Sequence, residues 1–166
     1  MALAVAAEAL AEEEPAPAGN SMRTKTLLGQ LDHERIVRVI KEAETKSSGE
    51  IRVFVQRGEF DGDPVVAAQE KFRELRMDET KERNGILILV LPRAQKFAVI
   101  GDEGVHKKCG PEFWERLVER MREHFKREEF TDALVEAIET AGQLLAEHFP
   151  RQGSDRNELP DQVVEG

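Results

Sequence analysis

The chain has 166 residues, with 24 Lys and Arg against 33 Asp and Glu and a formal net charge of −9, which is one domain's length of acidic protein. Its positive residues are interleaved with carboxylates, which argues against a nucleic-acid binder, because phosphate neutralisation needs clustered Lys and Arg. No run of about 18 apolar residues exists, so a transmembrane helix and direct membrane insertion are excluded, and a single cysteine, Cys109, excludes an internal disulfide and a Cys-based zinc cluster.

Residues 1–22 carry four acids and no base, and their apolar stretch contains Glu8 and lacks a basic flank, so they read as a disordered tail or a misassigned start ahead of Met22. Residues 150–166 carry four acids and two bases, which leaves 25 acids and 22 bases over 23–149. The middle of the chain, 23–149, is therefore the expected folded domain, and it is nearly neutral. One free thiol and no export signal favour the cytoplasm.

From Asp32 the apolar residues Ile36, Val37, Val39, Ile40 and Ala43 follow a helical period behind an N-cap, which predicts an amphipathic helix over 33–46. Ser47-Ser48-Gly49 ends it. Glu50 to Gln56 then alternate, with Ile51, Val53 and Val55 on one face, as a half-buried strand does. Asp63-Pro64 is N-cap plus first helical residue of a second helix, which buries Ala68, Phe72 and Leu75. Ile86 to Leu91 form a continuous apolar run too short for a helix, which suits a central strand covered on both faces. Pro92 to Gln95 reverse the chain into a third strand, Phe97 to Ile100. Pro111 opens a third helix, with Phe113, Trp114, Leu117, Val118, Met121 and Phe125 on its apolar stripe. Thr131 or Asp132 caps a fourth, with Leu134, Ala137, Ile138, Ala141, Leu144 and Leu145. The 57–84 connection has room for a parallel crossover between strands one and two. The expected fold class is α/β: a three-layer α/β/α sandwich with a small mixed sheet and about four main helices.

Five motifs stand in order along this frame: Ser48-Gly49-Glu50-Ile51-Arg52-Val53; Met77-x-x-Thr80-x-x-Arg83-Asn84-Gly85; Phe97 to Asp102 with Gly104, Val105, His106 and Lys108; Phe113-Trp114; and His148-Phe149-Pro150 with Asp155, Asn157 to Asp161. Together they resemble the TPM domain family, and more narrowly a short bacterial branch of it, from about Leu27 to Val164. The resemblance implies a mixed sheet sandwiched by helices, in agreement with the periodicities. It also implies divalent-cation binding, a weak acid phosphatase activity, and protein partners of the LemA-like kind. Many members carry an export signal and a membrane helix, and neither is expected here.

Two acidic groupings are candidates for chemistry. With strands one and two parallel and strand three antiparallel to two, Glu50, Asn84, Asp102 and Glu103 gather at one sheet edge. Such oxygen donors, with Gly49, Gly85, Gly101 and Gly104 admitting close backbone approach, suit Ca²⁺ or Mg²⁺. The bland alternative pairs Glu50 with Arg83, makes Asn84-Gly85 a turn, and uses Asp102 as the cap of a short helical turn. The opposite edge collects Glu59, Asp61 and Asp63, of which Asp63 already has the N-cap role. His106 is a fifth ligand or a plain turn residue, and Cys109 is expected to be buried and inert.

At the C-terminus, Asn157, Glu158, Leu159, Pro160 and Asp161 form a candidate partner-binding segment, with Leu159, Val163 and Val164 docking in extended form on this domain or on a partner. Pro160 forbids a regular helix there. The expected function is a binding or accessory domain that takes a divalent cation, a protein partner, or both. The alternative is a weak metal-dependent phosphatase acting on phosphate esters. No phosphate-cradling loop and no Cys-x₅-Arg motif is present, so any such activity needs a metal at the Glu50 and Asp102 edge.

Overall fold

The computed structural model describes residues 29–151 together with two strands outside that span. In chain order the elements are β1 (Ala4–Ala9), α1 (His33–Lys46), β2 (Glu50–Val55), α2 (Pro64–Glu74), a 3-10 turn at Met77–Glu79, β3 (Gly85–Leu91), β4 (Lys96–Gly101), α3 (Glu103–Cys109), α4 (Pro111–Lys126), α5 (Phe130–His148) and β5 (Val163–Glu165). The sheet runs β1-β4-β3-β2-β5. β2 is parallel to β3 and to β5, while β4 is antiparallel to β3 and to β1.

Alternation along the central strand sets the layers. Ile86, Ile88 and Val90 of β3 join one core with Ile51, Val53 and Val55 of β2, roofed by α1, α3, α4 and α5. Leu87, Leu89 and Leu91 join the other with Phe54, Ala98 and Ile100, covered by Ala68 and Phe72 of α2 and by Met77. Each such fully buried aliphatic or aromatic side chain contributes about 1.5–3 kcal/mol. A strand apolar on both faces needs helices on both, and the chain supplies them by crossing one face of the sheet as it goes from β2 to β3.

The helix starts follow their caps. Asp32 Oδ1 accepts from Arg35 N at 3.0 Å and Asp63 Oδ1 from Val65 N at 2.8 Å, with Pro64 at the first helical position. At α5 the expectation is corrected: the helix begins at Phe130 with Glu129 in the cap position, and neither Thr131 nor Asp132 caps it. Thr131 Oγ1 instead accepts from Asp32 N and donates to Gln30 O, both at 3.1 Å, and Asp132 receives Arg35 Nη1 at 3.1 Å. A tertiary tie to the entry of α1 has taken the groups that would have capped α5.

Two edge strands come from the ends of the chain. β1 lies in the stretch read from sequence as a tail; its alanine-rich sequence carries no strand alternation, yet Ala4 to Ala9 pair with Gly101 to Lys96. β5 comes from the C-terminal segment, where Val163 pairs with Val53 and Glu165 with Val55. The extended docking expected for Val163 and Val164 is thus made on this domain. Asn157 to Asp161 lie outside the described residues.

Candidate functional site

The starts of β2 and β3 and the end of β4 meet at one edge of the sheet. Glu50 pairs with Gly85 and Ile86 with Gly101, and Asp102 N donates to Gly85 O at 2.9 Å. Glu50, Asn84 and Asp102 therefore sit on adjacent strand ends, each with at most 1% of its surface exposed. Buried polar residues require partners, and two short networks supply them for Asp102 and Asn84.

The first network is ionic. Arg83 Nε donates to Asp102 Oδ2 at 2.8 Å and Nη2 to Oδ1 at 3.1 Å, a bidentate pair. Oδ1 also accepts from Glu103 N at 2.8 Å, so Asp102 caps α3. Glu103 Oε1 stands 3.7 Å from Arg83 Nη1. The hydrogen bond to Asp102, together with that residue's charge, raises the Arg83 guanidinium above its ordinary value against the opposing effect of burial.

The second network is neutral at its centre. Asn84 Nδ2 donates to Ser48 Oγ at 3.0 Å, and Ser48 Oγ donates to Glu82 Oε1 at 2.9 Å. Thr80 Oγ1 accepts from Asn84 N at 3.2 Å, which folds the 80–84 turn and leaves Arg83 at φ 53°. The motif from Met77 to Gly85 is thereby accounted for: Met77 fills the core, Thr80 ties the turn, and Arg83 reaches across to Asp102. Close approach explains the glycine of the next motif. A Cβ on Gly104 would lie 2.3 Å from Glu82 O and 2.6 Å from Arg83 O, where Gly104 N donates to Arg83 O at 2.9 Å.

Sequence reading missed two charged residues beside this edge. Glu44, 1% exposed, accepts from Ile51 N at 2.9 Å through Oε2, satisfying a strand N–H ahead of the point where β5 begins. Arg52, 6% exposed, lies between Glu50 and Phe54 on β2; burial pushes its guanidinium down while Glu50 and then Glu44 hold it up. The signal for Glu44 was available, since it stands four residues after Ile40 on the buried stripe of α1.

The other candidates fall apart or take structural roles. Asp63 caps α2, and Glu59 accepts from Arg93 Nη2 at 3.1 Å with its side chain 83% exposed. Glu59, Asp61 and Asp63 are all on the surface. His106 belongs to α3, its N–H bonded to Asp102 O at 3.1 Å. Cys109 is half-buried, and burial pushes its thiol up. Among the described residues no three or more His, Cys, Asp and Glu side chains are gathered to hold a metal ion, and no helix is long and apolar enough to cross a membrane. Carboxylate and amide oxygens are what a hard cation takes, and here Glu50, Asn84 and Asp102 stand on adjacent strand ends with Asn84 Nδ2 bonded to Ser48 Oγ and both Asp102 oxygens to Arg83.

The TPM domain matches residues 22–144 of the chain. The NMR structure of BA42 protein from the psychrophilic bacterium Bizionia argentinensis sp. nov. is similar to this one at 33% identity and a TM-score of 0.73, over 94% of this chain and 99% of that chain. No curated protein matches.

Proposed function

The chain belongs to the TPM domain family, and from that premise we propose that it works by binding rather than turnover, taking a divalent cation, Ca²⁺ or Mg²⁺, at the Glu50, Asn84 and Asp102 edge and a protein partner beside it. The supporting observation is that three buried oxygen-bearing residues stand on adjacent strand ends, with Asp102 N bonded to Gly85 O at 2.9 Å. Both Asp102 oxygens are engaged by Arg83, so a cation competes with a guanidinium already in place. Binding is accordingly weak, with water filling the remaining positions.

The partner contact is assigned to Asn157, Glu158, Leu159, Pro160 and Asp161, which precede the strand that extends the sheet beyond β2. Pro160 bars a regular helix across these residues, a composition that suits recognition in extended form. The cytoplasm is the proposed compartment, on the strength of a single free thiol.

The test is an amide NMR titration of the full chain with Ca²⁺ and then Mg²⁺. Saturable shifts confined to Gly49, Asn84, Gly101 and Asp102, with Gly62 and Asp63 unmoved, are expected. No localised change at millimolar metal would remove the cation from the proposal. A phosphate-release assay on a generic ester runs beside it; metal-dependent release abolished in Glu50→Gln or Asp102→Asn would replace binding with phosphatase chemistry.

A further inference from the structure

Charges alternate along the corner between α4 and α5. Arg127 Nη1 lies 3.6 Å from Glu129 Oε1, and the same oxygen lies 2.8 Å from His124 Nδ1. On the other side of the ring, His124 Nε2 lies 3.2 Å from Glu136 Oε2, and Arg120 reaches both oxygens of Glu136, Nη2 at 2.6 Å and Nε at 3.2 Å. Glu123, on α4, adds one more negative charge facing Arg120. His124 thus stands with a carboxylate at each ring nitrogen, one from the turn and one from α5.

An ionised carboxylate only accepts, so both contacts are hydrogen bonds only when both ring nitrogens carry protons. In the neutral ring one nitrogen turns a lone pair toward an anion, and that contact becomes repulsive. The arginines stay cationic at every pH the fold tolerates, so His124 is the basic member of the ladder that has both a neutral and a cationic form.

The corner has leverage on the core. The His124 carbonyl accepts from Arg127 N at 3.1 Å and from Glu129 N at 2.9 Å, closing the turn. Its chain neighbour Phe125 packs against Phe97 of β4 and Phe130 of α5, with ring centroids 5.2 and 6.0 Å apart. The His124 side chain is 19% exposed, so protons reach it while solvent screens its partners only in part.

We propose that His124 is a proton-operated latch, its imidazolium bridging Glu129 and Glu136 to hold α4 against α5 and releasing that corner on deprotonation. The sign follows from linkage: the bridge contributes stability while the ring is protonated, and the contribution is lost once the ring is neutral.

Melting temperature is measured against pH from about 5 to about 9 for the full chain and for His124→Gln, whose side chain carries no titratable proton in that range. His33, His106 and His148 are present in both proteins, so the difference between the curves isolates His124. The wild type is expected to lose about 2–4 °C relative to the variant on the alkaline side. Parallel curves overturn the proposal. Should His124→Gln fail to fold, Glu129→Gln keeps the ring and removes one anion; a shallower pH slope there supports the latch, and a wild-type slope overturns it.

Discussion

The Arg83 guanidinium clasps the Asp102 carboxylate through two hydrogen bonds, 2.8 and 3.1 Å, across 19 residues of sequence. Asp102 is fully buried, whereas the Arg83 side chain is 34% exposed, so the pair is unequal: one partner depends on the other for its charge to be tolerated. The same clasp joins the end of β4 to the turn before β3 and fixes the edge on which the proposed cation site stands.

Removing one partner is predicted to be costlier than neutralising the other. Arg83→Ala leaves a buried carboxylate uncompensated and is expected to destabilise the fold by about 3 kcal/mol. Asp102→Asn keeps an acceptor for Glu103 N, and its expected cost is about 1–2 kcal/mol. Denaturant unfolding of both variants reads the difference, and equal costs would mean that the guanidinium is not what compensates the burial of the Asp102 side chain.

A second prediction concerns Gly101, where a Cβ would lie 2.4 Å from the ring of Trp114. Gly101→Ala forces the indole out of its seat on β4 and is expected to cost about 1–3 kcal/mol. Trp114 is the only tryptophan and tyrosine is absent, so fluorescence reports the surroundings of this one ring. A red-shifted, more quenchable emission in the variant is expected; an unchanged spectrum would show that the ring was not displaced.

Cys109 is predicted to react slowly with thiol reagents. Burial raises its thiol above the ordinary value, and the weaker stabilising contacts from its own backbone and from Trp114 do not reverse that. Because the thiolate is the nucleophile, modification at neutral pH should be slower than that of an unstructured cysteine and should accelerate on unfolding. Equal rates in the folded and unfolded chain would contradict the burial seen at the end of α3.

Much of this molecule is decided locally. The periods of 33–46 and 86–91, the Asp-Pro start of α2 and the four-residue reversal before β4 all depend on neighbours in sequence, and the helix and strands stand where those patterns place them. The three-layer order follows too, since an apolar run such as Ile86 to Leu91 has to be covered twice. Even the gathering of Glu50, Asn84 and Asp102 was legible, because strand direction alone puts them at one edge.

What the tertiary structure decided is who pairs with whom. Arg83 goes to Asp102, Thr131 is drawn to the entry of α1 instead of capping α5, and Glu44 becomes the partner of a strand N–H. Composition in Ala4–Ala9 carries no strand signal, so its place beside β4 comes from the open edge it meets. The physical reason is common to all of these. Hydrogen-bond donors and acceptors have several partners within reach of their type, and only the packed arrangement of distant segments determines which one is close enough to serve.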